Sequence, residues 1–208
     1  MNNSDKSTII NRYRERLTKF GPSIESLASG TVERRNTRFN LLADVGDLRN
    51  AKILDLGSGL GDFYGFLKEN DIAVDYTGYD LSPDLVNIAK EKFPDAKFEV
   101  RDIQTEGIPE KFDYIVSSQT FNFKLENESN MDLVKACLRI CYENCTKGIC
   151  FDFLTSYVDY REEHLFYYSP EELFSFAKSL TKRVSISHES PLYEFALFMY
   201  PDFAGWKK

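Results

Sequence analysis

Residues 51–62 read Ala-Lys-Ile-Leu-Asp-Leu-Gly-Ser-Gly-Leu-Gly-Asp, an apolar run that breaks into Gly57, Gly59 and Gly61 with Asp55 just ahead of the break. Three glycines at alternate positions remove the Cβ atoms that would hold a ligand away from the main chain, so a ligand can sit against bare backbone between a strand and a helix. Residues 51–56 read as a buried parallel strand, and Phe63, Phe66 and Leu67 have the spacing of a helix packing back on a sheet. The next apolar segment, 73–79, closes on Asp80. At that point a βαβ unit presents a carboxylate to the hydroxyls of an unphosphorylated ribose. The stretch implies a nucleoside pocket.

Two cofactor classes use this arrangement, and they part at the third glycine. A dinucleotide fingerprint is Gly-x-Gly-x-x-Gly, with a pyrophosphate on the helix N-terminus. Here the third glycine comes one position early, and Asp62 stands where the last fingerprint glycine would be. A carboxylate there repels a pyrophosphate. With Asp55 added, the negative charge suits a ligand bearing an ammonium and a sulfonium.

On these residues the chain resembles the class I S-adenosylmethionine-dependent methyltransferases, over roughly residues 51–200. Asp55, Gly57, Gly59 and Gly61 look like the family's first motif, and Asp80 like its ribose-binding acid. Asp102, in the strand-like segment 98–103, is similar to the acid that accepts a hydrogen bond from the adenine amino group. The resemblance places Leu81 and Ile103 at the faces of the adenine, and Ser118 and Gln119, after a fourth strand at 112–117, beside the methionine and sulfonium. It implies a Rossmann-like α/β fold: a seven-stranded, mostly parallel sheet with an antiparallel last strand and helices on both faces. Residues 1–50 are expected to form a helical cap, and 51–208 the S-adenosylmethionine-binding domain.

The rest of the chain agrees with that layout. Residues 9–20 read as a helix broken by Gly21-Pro22, followed by a mixed segment to Leu48. Ser82-Pro83-Asp84 is a helix start, with a hydroxyl cap and proline at the first helical position. Ser169-Pro170-Glu171-Glu172 reads as a second start with a capping box, opening a helix that holds Leu173, Phe174, Phe176 and Ala177. A fifth strand is expected at 148–153. Segments 184–188 and 193–200 are apolar or β-branched and joined around Pro191. So short a connection requires an antiparallel pair, because a parallel one needs a long crossover.

Lys and Arg number 26 against 33 Asp and Glu, a net charge of −7, which argues against a phosphate-tracking nucleic-acid surface. The first residues are polar and no apolar run approaches the roughly 20 residues of a membrane span, so the cytoplasm is the expected location. Cys137, Cys141 and Cys145 share an apolar helix face with Leu133, Val134 and Leu138, which explains them as packing residues more simply than as zinc ligands or disulfides.

Ligands of such sheets lie beyond the carboxyl ends of the strands. The methyl acceptor is therefore expected at the aromatic loops 120–124 and 154–168, which carry Phe121, Asn122, Phe123, Tyr157, Tyr160, His164, Phe166, Tyr167 and Tyr168. His164 is the candidate base, with Tyr13 or Asn122 to orient the acceptor, although positioning and desolvation alone can carry methyl transfer. Arg38 is a candidate for the cofactor's carboxylate. The loop after strand four, Ser118-Gln119-Thr120-Phe121, does not resemble the Asp/Asn-Pro-Pro-aromatic motif of DNA amino-methylating enzymes. No Pro-Cys pair serves cytosine C5 chemistry, and Ser118 occupies the place of a metal-binding acid, so no catalytic metal is expected. The function expected is methyl transfer to oxygen or nitrogen of a small molecule. The alternatives are a non-catalytic cofactor-binding protein and an NAD-dependent oxidoreductase. The oligomeric state is left open.

Overall fold

A computed structural model describes residues 1–202, so the last six residues of the expected 51–208 domain lie outside the described residues. The elements run α1 (Asn3–Phe20), α2 (Val32–Ala43), β1 (Lys52–Leu56), α3 (Asp62–Glu69), β2 (Asp75–Asp80), α4 (Pro83–Lys92), β3 (Lys97–Val100), α5 (Ile103–Glu106), β4 (Phe112–Ser117), α6 (Asn130–Asn144), β5 (Cys145–Leu154), α7 (Pro170–Leu180), β6 (Arg183–Ser187) and β7 (Glu194–Tyr200). One seven-stranded sheet has the order β3-β2-β1-β4-β5-β7-β6. β7 runs antiparallel to both β5 and β6, and the other pairings are parallel.

Strands buried on both faces read as continuous apolar runs because each residue must satisfy one of two cores. Ile53 and Val116 face the core built with α2, α3 and α4, while Leu54 and Ile115 face the core built with α6 and α7. Phe63, Phe66 and Leu67 are buried on α3, as their spacing predicts. The order reverses between β1 and β4, both of which pair directly, and that switch point opens the crevice in which such sheets bind ligands.

Several boundaries differ from the sequence reading. α1 starts at Asn3, and the mixed segment before Leu48 contains α2, capped by Thr31. β3 ends at Val100, leaving Asp102 outside the strand as the N-cap of α5. Cys145 begins β5 in an extended conformation and does not belong to α6. Its neighbours Cys137 and Cys141 pack in the core, and burial pushes the Cys137 thiol up to about 12. At α7 only half of the capping box forms. Ser169 Oγ accepts from the Glu172 N–H at 3.1 Å, but the Glu172 carboxylate is drawn away to Lys135 at 2.7 Å. No helix among the described residues is long and apolar enough to cross a membrane.

Candidate functional site

Parallel pairing brings the carboxyl ends of β1, β2 and β3 side by side, with Asp55 beside Gly78 and Asp80 beside Val100. Asp55, Asp80 and Asp102 thereby line one cleft of about 1190 Å³, counted to its open mouth. Asp55 Oδ2 accepts from the Tyr76 hydroxyl at 2.5 Å. Burial, opposed by that hydrogen bond and reinforced by nearby Asp80, pushes its carboxyl up to about 7. Asp80 accepts from the Gly59 N–H at 2.9 Å and the Ser82 N–H at 2.8 Å, one on each oxygen. A carboxylate oxygen has a second lone pair, so each can still accept from a ligand hydroxyl. Asp102 accepts from the Gln104 N–H at 3.1 Å and from Lys6 Nζ at 3.2 Å.

The glycines of the turn face the protein's own side chains as well as the cleft. Gly57 has φ +77°, and a Cβ there would lie 2.1 Å from Thr120 Oγ1. Gly61, at φ +76°, would meet Phe98 at 2.9 Å and does not line the cleft. Both positions thus admit the protein's own side chains, and of the two Gly57 also lines the cleft. Gly59 does face the cleft's cover, where its Cβ would touch Leu27 at 3.3 Å. The buried Ser58 Oγ beside it has no hydrogen-bond partner within the protein.

Leu81, Ile103 and Ser118 line the same cleft. Ser118 Oγ donates to Asp152 at 2.5 Å, and the Gln119 N–H donates to the other Asp152 oxygen at 2.7 Å. Burial, with Glu194 nearby, pushes the Asp152 carboxyl up to about 7. Arg38 also reaches the cleft, yet each of its guanidinium nitrogens is already engaged. Nε and Nη2 donate to Glu194 at 2.8 Å each, and Nη1 to the Ser29 carbonyl at 2.8 Å. The residue expected at a cofactor carboxylate thus stands in a buried bidentate ion pair. Arg35, on the same helix, lines the cleft 3.7 Å from Asp62.

The family model described as a methyltransferase domain matches residues 53–144. Rv1506c of Mycobacterium tuberculosis (strain ATCC 25618 / H37Rv), a protein named as a methyltransferase, is 31% identical over 159 residues, covering 71% of this chain and 91% of that protein. The chain belongs to the class I S-adenosylmethionine-dependent methyltransferases. The phosphoethanolamine N-methyltransferase of Plasmodium falciparum (isolate 3D7) is 32% identical over 140 residues, 62% of this chain and 50% of that one. The solved DhpI-SAM-HEP complex shares the fold, with TM-score 0.70 and 14% identity over 97% of this chain and 100% of its own. Membership replaces both alternatives, the non-catalytic binder and the oxidoreductase.

The residues present fit S-adenosylmethionine. Three carboxylates, an unpartnered buried hydroxyl and the left-handed Gly59 meet in one cleft, and Asp62 at the start of α3 lines it as well. When bound, the cofactor supplies an electrophilic methyl group on a sulfonium.

The methyltransferase has a second cleft of about 1670 Å³, counted the same way, that shares Tyr13, Leu27, Arg38 and Gln119 with the first. Asn122 and His164 line it, as do Phe123, Tyr160 and Tyr167. Phe121 and Tyr168 do not belong to this rim. Phe121 stacks on Phe151 in the core, and the fully buried Tyr168 donates its hydroxyl to the Phe121 carbonyl. Tyr157 is exposed and donates to Glu171, a contact outside the cleft. His164 is about half exposed, with Nδ1 3.5 Å from Glu162. Burial, with Asp80 nearby, raises the Tyr13 hydroxyl well above its ordinary value. The sequence reading missed Glu194, Asp152 and Arg12. Gln119, which it placed by position alone, adopts φ +60° at the junction of the clefts, a strained value for a non-glycine residue that no local motif announces.

Proposed function

We propose that the enzyme transfers the methyl group to oxygen or nitrogen of a small molecule held in the second cleft. The observation that carries this reading is the junction: two clefts meet at Tyr13 and Gln119, so an acceptor in one reaches the sulfonium end of the other. Concave cavities with aromatic walls and convergent polar groups suit compact organic ligands. In this reading Asp80 holds the ribose, Asp102 the adenine amino group, and Leu81 and Ile103 the adenine faces. Ser118 and Gln119 line the sulfonium end, and Arg35 replaces Arg38 at the cofactor's carboxylate.

Methyl transfer needs the nucleophile in line and about 3 Å from the methyl carbon. Tyr13 stays a neutral phenol and orients the acceptor by hydrogen bonding. His164, with Glu162 beside it, is the candidate base of this cleft. Incubating the full chain with S-adenosylmethionine and a metabolite extract tests the proposal. One or more low-mass methylated products with matching S-adenosylhomocysteine release are expected; transfer only to RNA or protein overturns it.

Residues 1–50 act, in the same reading, as a cover pinned by Asp5. This buried residue of α1 accepts from the Asn127 side chain at 2.9 Å and from the N–H groups of Glu126 and Asn127 at 3.2 and 3.1 Å. Although burial acts the other way, these donors hold its carboxyl below the usual range. Asp5→Ala is expected to cost about 1.5–3 kcal/mol of cover docking, since hydrogen bonds to a charged group are worth that much. Hydrogen exchange across residues 3–20 should quicken by at least tenfold, and unchanged protection would mean that the helix is held elsewhere.

Cofactor affinity should depend on pH through Asp55. Its proton is retained up to about pH 7 in the free protein, and a sulfonium favours the ionised form. Affinity for S-adenosylmethionine is therefore expected to rise with pH toward about 7, with proton release. S-adenosylhomocysteine, which lacks the sulfonium charge, should show a shallower rise. Calorimetry in buffers of different ionisation enthalpy reads both, and identical pH profiles for the two ligands would remove Asp55 from this role.

A further inference from the structure

We propose that the second cleft grips its acceptor by an anionic group, a carboxylate or a phosphoryl, seated on Arg12 and Arg16 of α1 with the Asn122 amide beside it. The inference rests on the small-molecule reading above and narrows it to a charged substrate class.

Arg12 and Arg16 lie one helical turn apart, and both line the second cleft. Like charges at this spacing repel. Neither arginine forms an ion pair among the described residues, in contrast to Arg38 with Glu194. The Arg16 guanidinium donates only to neutral carbonyls, those of Ser26 and Glu25. The Arg12 guanidinium lies over the Phe123 ring, 4.1 Å from its centroid, which fixes its plane. Its Nε is sealed from solvent and has no hydrogen-bond partner. Burial, and after it the neighbouring Arg16, weaken its hold on a proton, against smaller opposing effects of Tyr13 and Glu162.

Asn122 adds a second, independent vacancy of partners. It is 5% exposed and lines the cleft, yet its Oδ1 accepts no hydrogen bond. Buried polar atoms are almost always paired, so an unpaired one at a cleft wall points to a ligand. An amide side chain can present its oxygen or its nitrogen, as the ligand requires.

Three acids among the described residues line this cleft, and none forms an ion pair with Arg12 or Arg16. Glu194 is bound by Arg38, Glu162 sits beside His164, and Asp159 lies on the loop before α7. A planar guanidinium held by an aromatic ring is suited to a bidentate oxyanion. Tyr13, next to Arg12, belongs to both clefts, so an acceptor anchored by its anion has its other end directed at the junction with the cofactor cleft.

The test uses the full chain saturated with S-adenosylhomocysteine, titrated calorimetrically with inorganic phosphate and, separately, with acetate. At least one anion is expected to bind, and Arg12→Gln and Arg16→Gln, checked for unchanged melting, should each weaken it by tenfold or more while S-adenosylhomocysteine affinity stays within twofold. Stronger binding of phosphate assigns a phosphoryl acceptor, and stronger binding of acetate a carboxylate. Matched acceptor pairs, acid against amide and phosphate monoester against alcohol, should differ at least tenfold in KM in favour of the charged member. No binding of either anion, equal binding by the variants, or equal turnover of neutral and charged acceptors overturns the anionic subsite. Anion binding that depends on both arginines, with methylation confined to macromolecules, would instead uphold the subsite and overturn the small-molecule reading.

Discussion

Glu194→Ala is expected to destabilise the methyltransferase by about 3–5 kcal/mol, the cost of leaving a buried partner charge uncompensated. Glu194 opens β7 opposite Leu154, and it is 4% exposed. Its two oxygens accept from Arg38 Nε and Nη2 at 2.8 Å, and Oε1 also accepts from Gln119 Nε2 at 3.0 Å. Removing the carboxylate strands the Arg38 guanidinium, 7% exposed, with a single carbonyl at Ser29. For a chain of this length the melting temperature should fall by roughly 6–20 °C. Glu194→Gln keeps an acceptor for Arg38 and should lose less. The same substitution frees Gln119, whose φ of +60° is sustained by Asp152 on its N–H and Glu194 on its side chain. Methyl transfer by the surviving folded fraction should therefore slow as well, read as kcat at saturating cofactor. A stability loss below about 1 kcal/mol would show that the pair is solvated and contributes as a surface ion pair does.

Local features were legible in the sequence, and contacts between distant residues were not. The β1-glycine-α3 turn and the acids at Asp55 and Asp80 could be read because strand, turn and strand end are contiguous. The closing hairpin was equally readable, since a short connection permits one pairing sense. The contacts of Gly57 and Gly61 were hidden because Thr120 arrives from the turn after β4 and Phe98 from β3. The ion pair of Arg38 was hidden for a similar reason: its partner lies 156 residues away. The first turns of α1 escaped the periodicity argument because the helix buries a charged residue, Asp5, in place of an apolar stripe. The capping box at Ser169 failed by half because the helix-start pattern knows nothing of Lys135 on α6.

Asp80→Ala should weaken S-adenosylmethionine binding by more than tenfold, since the hydrogen bonds that a carboxylate accepts from two ribose hydroxyls are worth about 1.5–3 kcal/mol. The wild-type geometry gives this residue two tasks. One oxygen accepts from the Gly59 N–H at 2.9 Å and the other from the Ser82 N–H at 2.8 Å, so the carboxylate ties the glycine turn after β1 to the N-cap of α4. Alanine removes the ligand's acceptor and unpins the turn that carries Gly59 into the cleft. Asparagine separates the two effects: its carbonyl oxygen can keep one of the backbone N–H groups, but it cannot accept from both hydroxyls as a carboxylate does. Calorimetric titration of the three proteins should rank affinity as wild type above Asp80→Asn above Asp80→Ala, with the cofactor's ammonium and carboxylate end contributing equally to all three. The adenosyl portion alone, tested as adenosine, should show the same ranking, because the lost contacts belong to the ribose. If Asp80→Ala instead bound S-adenosylmethionine with an unchanged dissociation constant, the ribose would have to lie elsewhere, and the end of β2 would be a structural clasp for the glycine turn with no ligand of its own.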